Sequence, residues 1–158
     1  MKTISSFEVD HTRLLPGLYV SRKDRVGKNM VTTFDLRVCR PNFEPVMKTC
    51  EYHTIEHLAA TYMRNHEKYG KDIIYFGPMG CSTGFYLLMA GNLDVADVLD
   101  FVKDCFKYMA SYDGDVPGAS MEACGNYTDL NLSLAKSRAA AYLETLESAS
   151  ADQFIYPD

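Results

Sequence analysis

The sequence predicts an α+β fold, a single domain over residues 1–158 with two layers: a mostly antiparallel sheet and helices packed on one of its faces. Three observations predict it. Strand-like runs lie next to one another, joined by a turn segment too short for a helical crossover. Longer stretches carry apolar residues at helical spacing. No repeated βαβ unit or glycine-rich phosphate fingerprint is present, which speaks against a nucleotide cofactor.

The first element, Gly17 to Ser21, reads as a short strand after Pro16, and the basic, glycine-containing stretch Arg22 to Asn29 as an exposed loop. From Val31 to Val38 residues alternate, with Phe34, Leu36 and Val38 on one side and Asp35 and Arg37 on the other. That pattern predicts a half-buried strand, ended by Arg40-Pro41-Asn42. Glu51 to Tyr69 has helical spacing with Ile55, Leu58, Ala59, Tyr62 and Met63 in one stripe, and Gly70 is placed to terminate it. Asp72 to Phe76 and Gly84 to Gly91 are strand-like and, across Pro78 to Thr83, antiparallel. Asp94 is a good N-cap for a helix with Val98, Leu99, Val102, Phe106 and Met109 inward. After the turn-rich Asp113 to Gly118, a third helix is expected from about Asn131 to Ser148, with Leu134, Ala135, Tyr142, Leu143 and Leu146 inward.

Composition narrows the function classes. Of 158 residues 47% are hydrophobic and 23% charged, as in ordinary globular domains. A net charge of −5 leaves no basic footprint for nucleic acid. The longest apolar runs, such as Phe85 to Ala90, fall far short of a membrane span. The first residues turn polar and acidic at once, unlike a secretory signal, so a cytoplasmic location is expected. The 5 cysteines show no paired spacing and are expected to be reduced. Cys39, Cys50 and Cys105 read as small buried hydrophobes, whereas Cys81 and Cys124 sit in glycine-containing loops.

The chemistry begins at His53-Thr54-Ile55-Glu56-His57. Residues four apart share a helix face, so both imidazoles can reach one metal ion, with Glu56 beside that face to move protons. This is the inverted form of the zinc-protease helix motif. Two surface histidines on a helix would look the same. A catalytic site needs a third protein ligand and an open position. His11, Cys81, Cys124 and several carboxylates are candidates, whereas His66 is too far along the same helix to share the ion.

An ordered set of landmarks then resembles the S-ribosylhomocysteine lyase (LuxS) family, which makes the precursor of autoinducer-2. The set comprises Ser6-Phe7 with Asp10-His11-Thr12, Phe34-Asp35-Leu36-Arg37, Pro41-Asn42, His53 to Leu58, Pro78-Met79-Gly80-Cys81 with Thr83-Gly84, and Cys124-Gly125. The resemblance runs from the N-terminus to about residue 136. It implies His53, His57 and Cys124 as metal ligands, and Glu56 and Cys81 as the two acid/base residues. It also implies Ser6, His11, Arg37 and Arg64 at the substrate, the first three reaching across a homodimer interface. One divalent ion per subunit is implied, iron(II) expected, with zinc or cobalt as common substitutes; the mixed nitrogen and sulfur set suits each. The chain departs from many members at Tyr75-Phe76-Gly77, where they carry an acidic residue and a serine, and at Leu130, where they carry a histidine.

The chemistry of that substrate agrees with the residues. The carbon–sulfur bond breaks only once the neighbouring carbon is acidic. The aldose carbonyl must therefore move inward by two proton-transfer isomerisations before the thiolate leaves by β-elimination. Lewis acidity at the carbonyls and two bases on opposite sides of the sugar meet that need. Cys81, after Gly80, is placed to project into a pocket near the metal, as a thiolate favoured by a nearby cation. Two rival readings share the motif: a small inverted-motif metalloprotease, and a non-catalytic metal-binding or signalling module. A cysteine as third ligand argues against the first, and both acid/base residues at their positions argue against the second.

Overall fold

A computed structural model of the chain describes residues 3–4 and 7–157. Four strands, β1 (Gly17–Val26), β2 (Asn29–Arg37), β3 (Ile73–Pro78) and β4 (Gly84–Ala90), form one sheet in the order β1-β2-β4-β3. Every neighbouring pair is antiparallel, with Leu36 opposite both Leu18 and Phe85. Three helices accompany it: α1 (Thr49–Arg64), α2 (Val95–Ser111) and α3 (Leu132–Glu147). Leu18, Phe34, Leu36, Phe85 and Leu87 are fully buried in the core with Ile55 and Leu58 of α1, Phe106 of α2 and Leu146 of α3. Phe76 stacks on Phe85 at 5.0 Å, and Phe106 meets Tyr142 edge-on at 4.7 Å.

The predicted class holds, and three details change. β1 does not stop at Ser21 but runs to Val26, and Gly27-Lys28 turns it into β2, with Gly27 at φ +63°. The stretch read as a loop is a hairpin arm on the sheet edge. Its charges hid the alternation, and they cover an edge that would otherwise pair with another chain. Arg22 pairs with Asp24 at 2.7 Å and Lys23 with Asp94 at 2.7 Å. The first helix ends at Arg64 instead of reaching Tyr69. Asn65 closes it by donating to Thr61 O (2.8 Å), and Gly70 opens a short 3-10 turn where its backbone lies against Arg64 O, with no room for a side chain.

The third change concerns the far sheet face. Asp35 and Arg37 were expected on the open side of a half-buried strand, yet their side chains are 1% and 3% exposed. The terminal segments cover them. Phe154 packs over Gly17, where a side chain would collide with the ring, and Tyr156 stacks on Tyr19 at 5.0 Å. His11 and Val9 approach from the other end of the chain. Helices therefore cover one face and the termini the other. In α3, Ala135, Tyr142 and Leu146 are buried as expected, Leu134 and Leu143 only partly, and Ala139 takes a core position. Cys39 and Cys105 are buried as expected, and burial pushes both thiols up. Cys50 is only half-buried. Among the described residues no helix is long and apolar enough to cross a membrane.

Candidate metal centre and thiol site

α1 is fixed at both its ends and its flank before any metal enters. Lys48 N donates to Glu51 Oε2 (2.7 Å), and Glu51 Oε1 accepts from Arg138 of α3 (3.2 Å). Thr54, fully buried, accepts from Asn131 N (2.8 Å), which docks the start of α3 onto α1. Asn131 also caps α3 by accepting from Leu134 N at 3.0 Å. The segment 112–131, between α2 and α3, is held over the α1 face that carries His53 and His57.

On that face the two Nε2 atoms lie 3.1 Å apart, and Cys124 Sγ, from the 112–131 segment, lies 3.4 Å from His53 Nε2. His53 Nδ1 donates to Asp129 O (2.9 Å) and His57 Nδ1 to Pro117 O (2.6 Å). A carbonyl only accepts, so each Nδ1 carries the proton and each Nε2 keeps its lone pair for the shared space. These donors fit a divalent ion. Tetrahedral coordination at usual bond lengths puts two imidazole nitrogens about 3.3 Å apart and a nitrogen and a thiolate sulfur about 3.6 Å apart. The three ligand atoms all lie within 4.8 Å of one another, the one such group of histidine, cysteine and carboxylate side chains among the described residues. Asn126 N donates to the Cys124 sulfur at 3.4 Å, and Gly118, at φ +70°, lets the chain pass closely over the His57 ring. Glu56, half-buried in the same helical turn, has no hydrogen-bond or ion-pair partner among the described residues.

A second cluster lies on the far sheet face. Arg37 Nη2 donates to Asp35 Oδ2 (2.6 Å), and Nη1 donates to Thr83 Oγ1 (2.5 Å) and lies 3.9 Å from Cys81 Sγ. Burial acts to raise the Cys81 thiol, but the Thr83 hydroxyl and amide and the Arg37 charge together hold it below its ordinary value. Burial opposes charge on Arg37 too, and Asp35 and Cys81 outweigh it. A recess of about 260 Å³ opens over this cluster, lined by His11, Ser21, Asp35, Arg37, Tyr86 and Tyr156 among others. His11 is fixed by Nδ1 on Val9 O (2.8 Å).

The residues singled out in the sequence thus fall into groups. His53, His57 and Cys124 come together with Glu56 alongside. His11, Arg37 and Cys81 border the second cluster, where Cys81 touches Thr83 and Arg37 and no metal donor. Arg64 stands apart, exposed at the end of α1, its guanidinium on Ile73 O (3.3 Å) and Ile74 O (3.1 Å). Ser6 lies outside the described residues. Sequence reasoning did not find the carbonyls of Pro117 and Asp129, or Tyr156, and it gave Thr83 only as a landmark of the resemblance, with no role. Gly118 after Pro117 was the one local signal for the first pair, and the tail gave none.

Fold and donors define a small α+β protein with a three-donor group, His53, His57 and Cys124, able to hold a metal ion, of the kind used by metal-dependent enzymes. Comparison with known proteins names the kind. The sequence model of the S-ribosylhomocysteinase (LuxS) family matches residues 4–153. The S-ribosylhomocysteine lyases of Finegoldia magna and Porphyromonas gingivalis are each 49% identical to the chain over the full length of both proteins. That of Phocaeicola vulgatus is 52% identical over 99% of this chain and 98% of its own. The chain belongs to the S-ribosylhomocysteinase family, whose named members are carbon–sulfur lyases.

Proposed function

We propose that the chain is a metal-dependent carbon–sulfur lyase that cleaves S-ribosylhomocysteine to homocysteine and 4,5-dihydroxy-2,3-pentanedione, the autoinducer-2 precursor. Family membership supports the substrate. The observation that carries the metal chemistry is the pair of Nε2 lone pairs, freed by backbone carbonyls and aimed with the Cys124 sulfur at one point. A cysteine as third donor also separates this centre from inverted-motif peptidases.

His53, His57 and Cys124 would hold the ion, iron(II) in the cell, with zinc or cobalt accepted by the same donors. A divalent ion held there supplies Lewis acidity to the sugar's oxygens during two carbonyl migrations. Glu56, with no hydrogen bond or ion pair to occupy its carboxylate among the described residues, accepts and returns protons on one side of the sugar. Cys81 serves as the second base: against the upward push of burial, Thr83 and Arg37 hold its thiol below the ordinary value, which favours the thiolate. Once the ketone reaches the third ribose carbon, removal of the proton on the fourth expels homocysteine as its thiolate. His11, Arg37 and Ser6 hold substrate from the neighbouring protomer of a homodimer, and Arg64 from the end of α1. Large exposed apolar side chains, Phe7 at 77% and Met121 at 75%, supply surface for such an interface. The cytoplasm suits five cysteines that form no disulfide.

The test is product analysis. Metal-loaded protein incubated with S-ribosylhomocysteine should release a free thiol and an equal amount of a vicinal dione, trapped with an aromatic diamine. Thiol without dione would refute the two-migration route, and neither product would refute the activity.

A further inference from the structure

Tyr156, nine residues beyond the end of α3 at Glu147, is the least expected participant on the far sheet face. Its hydroxyl donates to Asp35 Oδ2 at 2.8 Å, the same oxygen that receives Arg37 Nη2. Burial, and then Asp35, push the Tyr156 phenol above its ordinary value, so it stays a donor. The tail is fixed there by Phe154 on Gly17 and by the stacking of Tyr156 on Tyr19.

From Asp35 the contacts continue through Arg37, which donates to Asp35 with one nitrogen and to Thr83 with the other. Arginine has donors only, so Thr83 Oγ1 must accept from Arg37 Nη1. The Thr83 hydroxyl hydrogen is then free for the Cys81 sulfur, 3.1 Å away. Hydrogen bonds to a charged acceptor favour the charged form.

We propose that Tyr156 and Thr83 are positioning residues for Cys81, the far end and the last link before the sulfur of a hydrogen-bond chain, Tyr156–Asp35–Arg37–Thr83–Cys81, by which the C-terminal tail holds the sulfur as a thiolate. The proposal rests on the reading of Cys81 as a base. Other titratable groups around the recess are Tyr86 of β4 and, from the N-terminal segment, His11 and Glu8; none of them stands in the chain. Tyr156→Phe keeps the ring on Tyr19 and removes only the hydroxyl. Thr83→Ala removes the last donor, and Thr83→Ser restores it.

The experiment is alkylation of metal-loaded protein by iodoacetamide across pH, with Cys81 followed by peptide mass spectrometry and turnover of S-ribosylhomocysteine measured beside it. The variants' melting temperatures serve as the folding control. Wild type and Thr83→Ser should share a profile that stays reactive below the ordinary thiol range. Thr83→Ala should shift it upward, slowing Cys81 alkylation at a fixed pH below the inflection about tenfold, and Tyr156→Phe about threefold, since the thiolate fraction falls tenfold per unit of pKa. Folded Tyr156→Phe and Thr83→Ala proteins whose profiles superimpose on wild type would overturn the proposal. So would a Thr83→Ser profile displaced as far as that of Thr83→Ala. Shifted profiles with unchanged turnover would uphold the chain and instead refute the role of Cys81 as a base.

Discussion

A neutral imidazole has one nitrogen that donates and one that accepts, and at His53 and His57 two backbone carbonyls decide which is which. The five-residue motif on α1 offered two imidazoles at the right spacing but could not say which atoms would be free. That depended on Pro117 and Asp129, which no periodicity marks. The third donor, Cys124, was legible only through resemblance, because it comes from a loop 67 residues beyond His57 in sequence. Its removal leaves two donors, too few for a firmly held ion in a catalytic site. Cys124→Ala should therefore purify with less than a tenth of the wild-type metal, read by elemental analysis. A fully metallated, active variant would refute the ligand role.

Among the elements, helical spacing revealed α2 and α3 closely and α1 apart from its C-terminal end. The strands were legible where apolar and polar residues alternate, as in Phe34 to Val38. They were missed where charge occupies both faces of an edge, as in Arg22 to Val26. The burial of Asp35 and Arg37 was illegible for another reason: what covers them is a tail that carries no repeating pattern. The segment 112–131 behaves as an element in its own right, since it supplies both carbonyls and the sulfur to the centre. Gly118 is its pivot. At φ +70° a side chain is strained, and a Cβ there would stand 3.4 Å from His57 Nδ1. Gly118→Ala should loosen the carbonyl of Pro117 from His57 and weaken metal binding about tenfold, in the range seen when outer-shell partners of ligands are lost. Competition with a chelator measures this. Unchanged affinity would show that the loop's backbone does not position His57.

At the scale of the whole molecule the described residues present two chemical clusters, the metal donors with Glu56 and the thiol site with Arg37. If Arg37 serves the neighbouring protomer's substrate, Cys81, which it contacts, goes with it. Each site of a homodimer would then take Glu56 from one chain and Cys81 from the other. Glu56→Gln and Cys81→Ala proteins, each inactive alone, should on subunit exchange recover about one quarter of wild-type activity, because each mixed dimer of an isologous pair has one intact site. Verified exchange without recovery would place both residues in one chain.

The central claim, that this chain is a metal-dependent lyase in which Glu56 moves protons and does not hold the ion, is tested most directly by one comparison. Wild type and Glu56→Gln, brought to equal metal content, are given S-ribosylhomocysteine, and thiol release is followed with a colorimetric reagent. The account predicts release by wild type that a chelator abolishes, and a loss of at least a hundredfold in Glu56→Gln with the metal retained, the scale expected when a general base is removed. Release at the wild-type rate from Glu56→Gln, or activity lost only in step with lost metal, would contradict it.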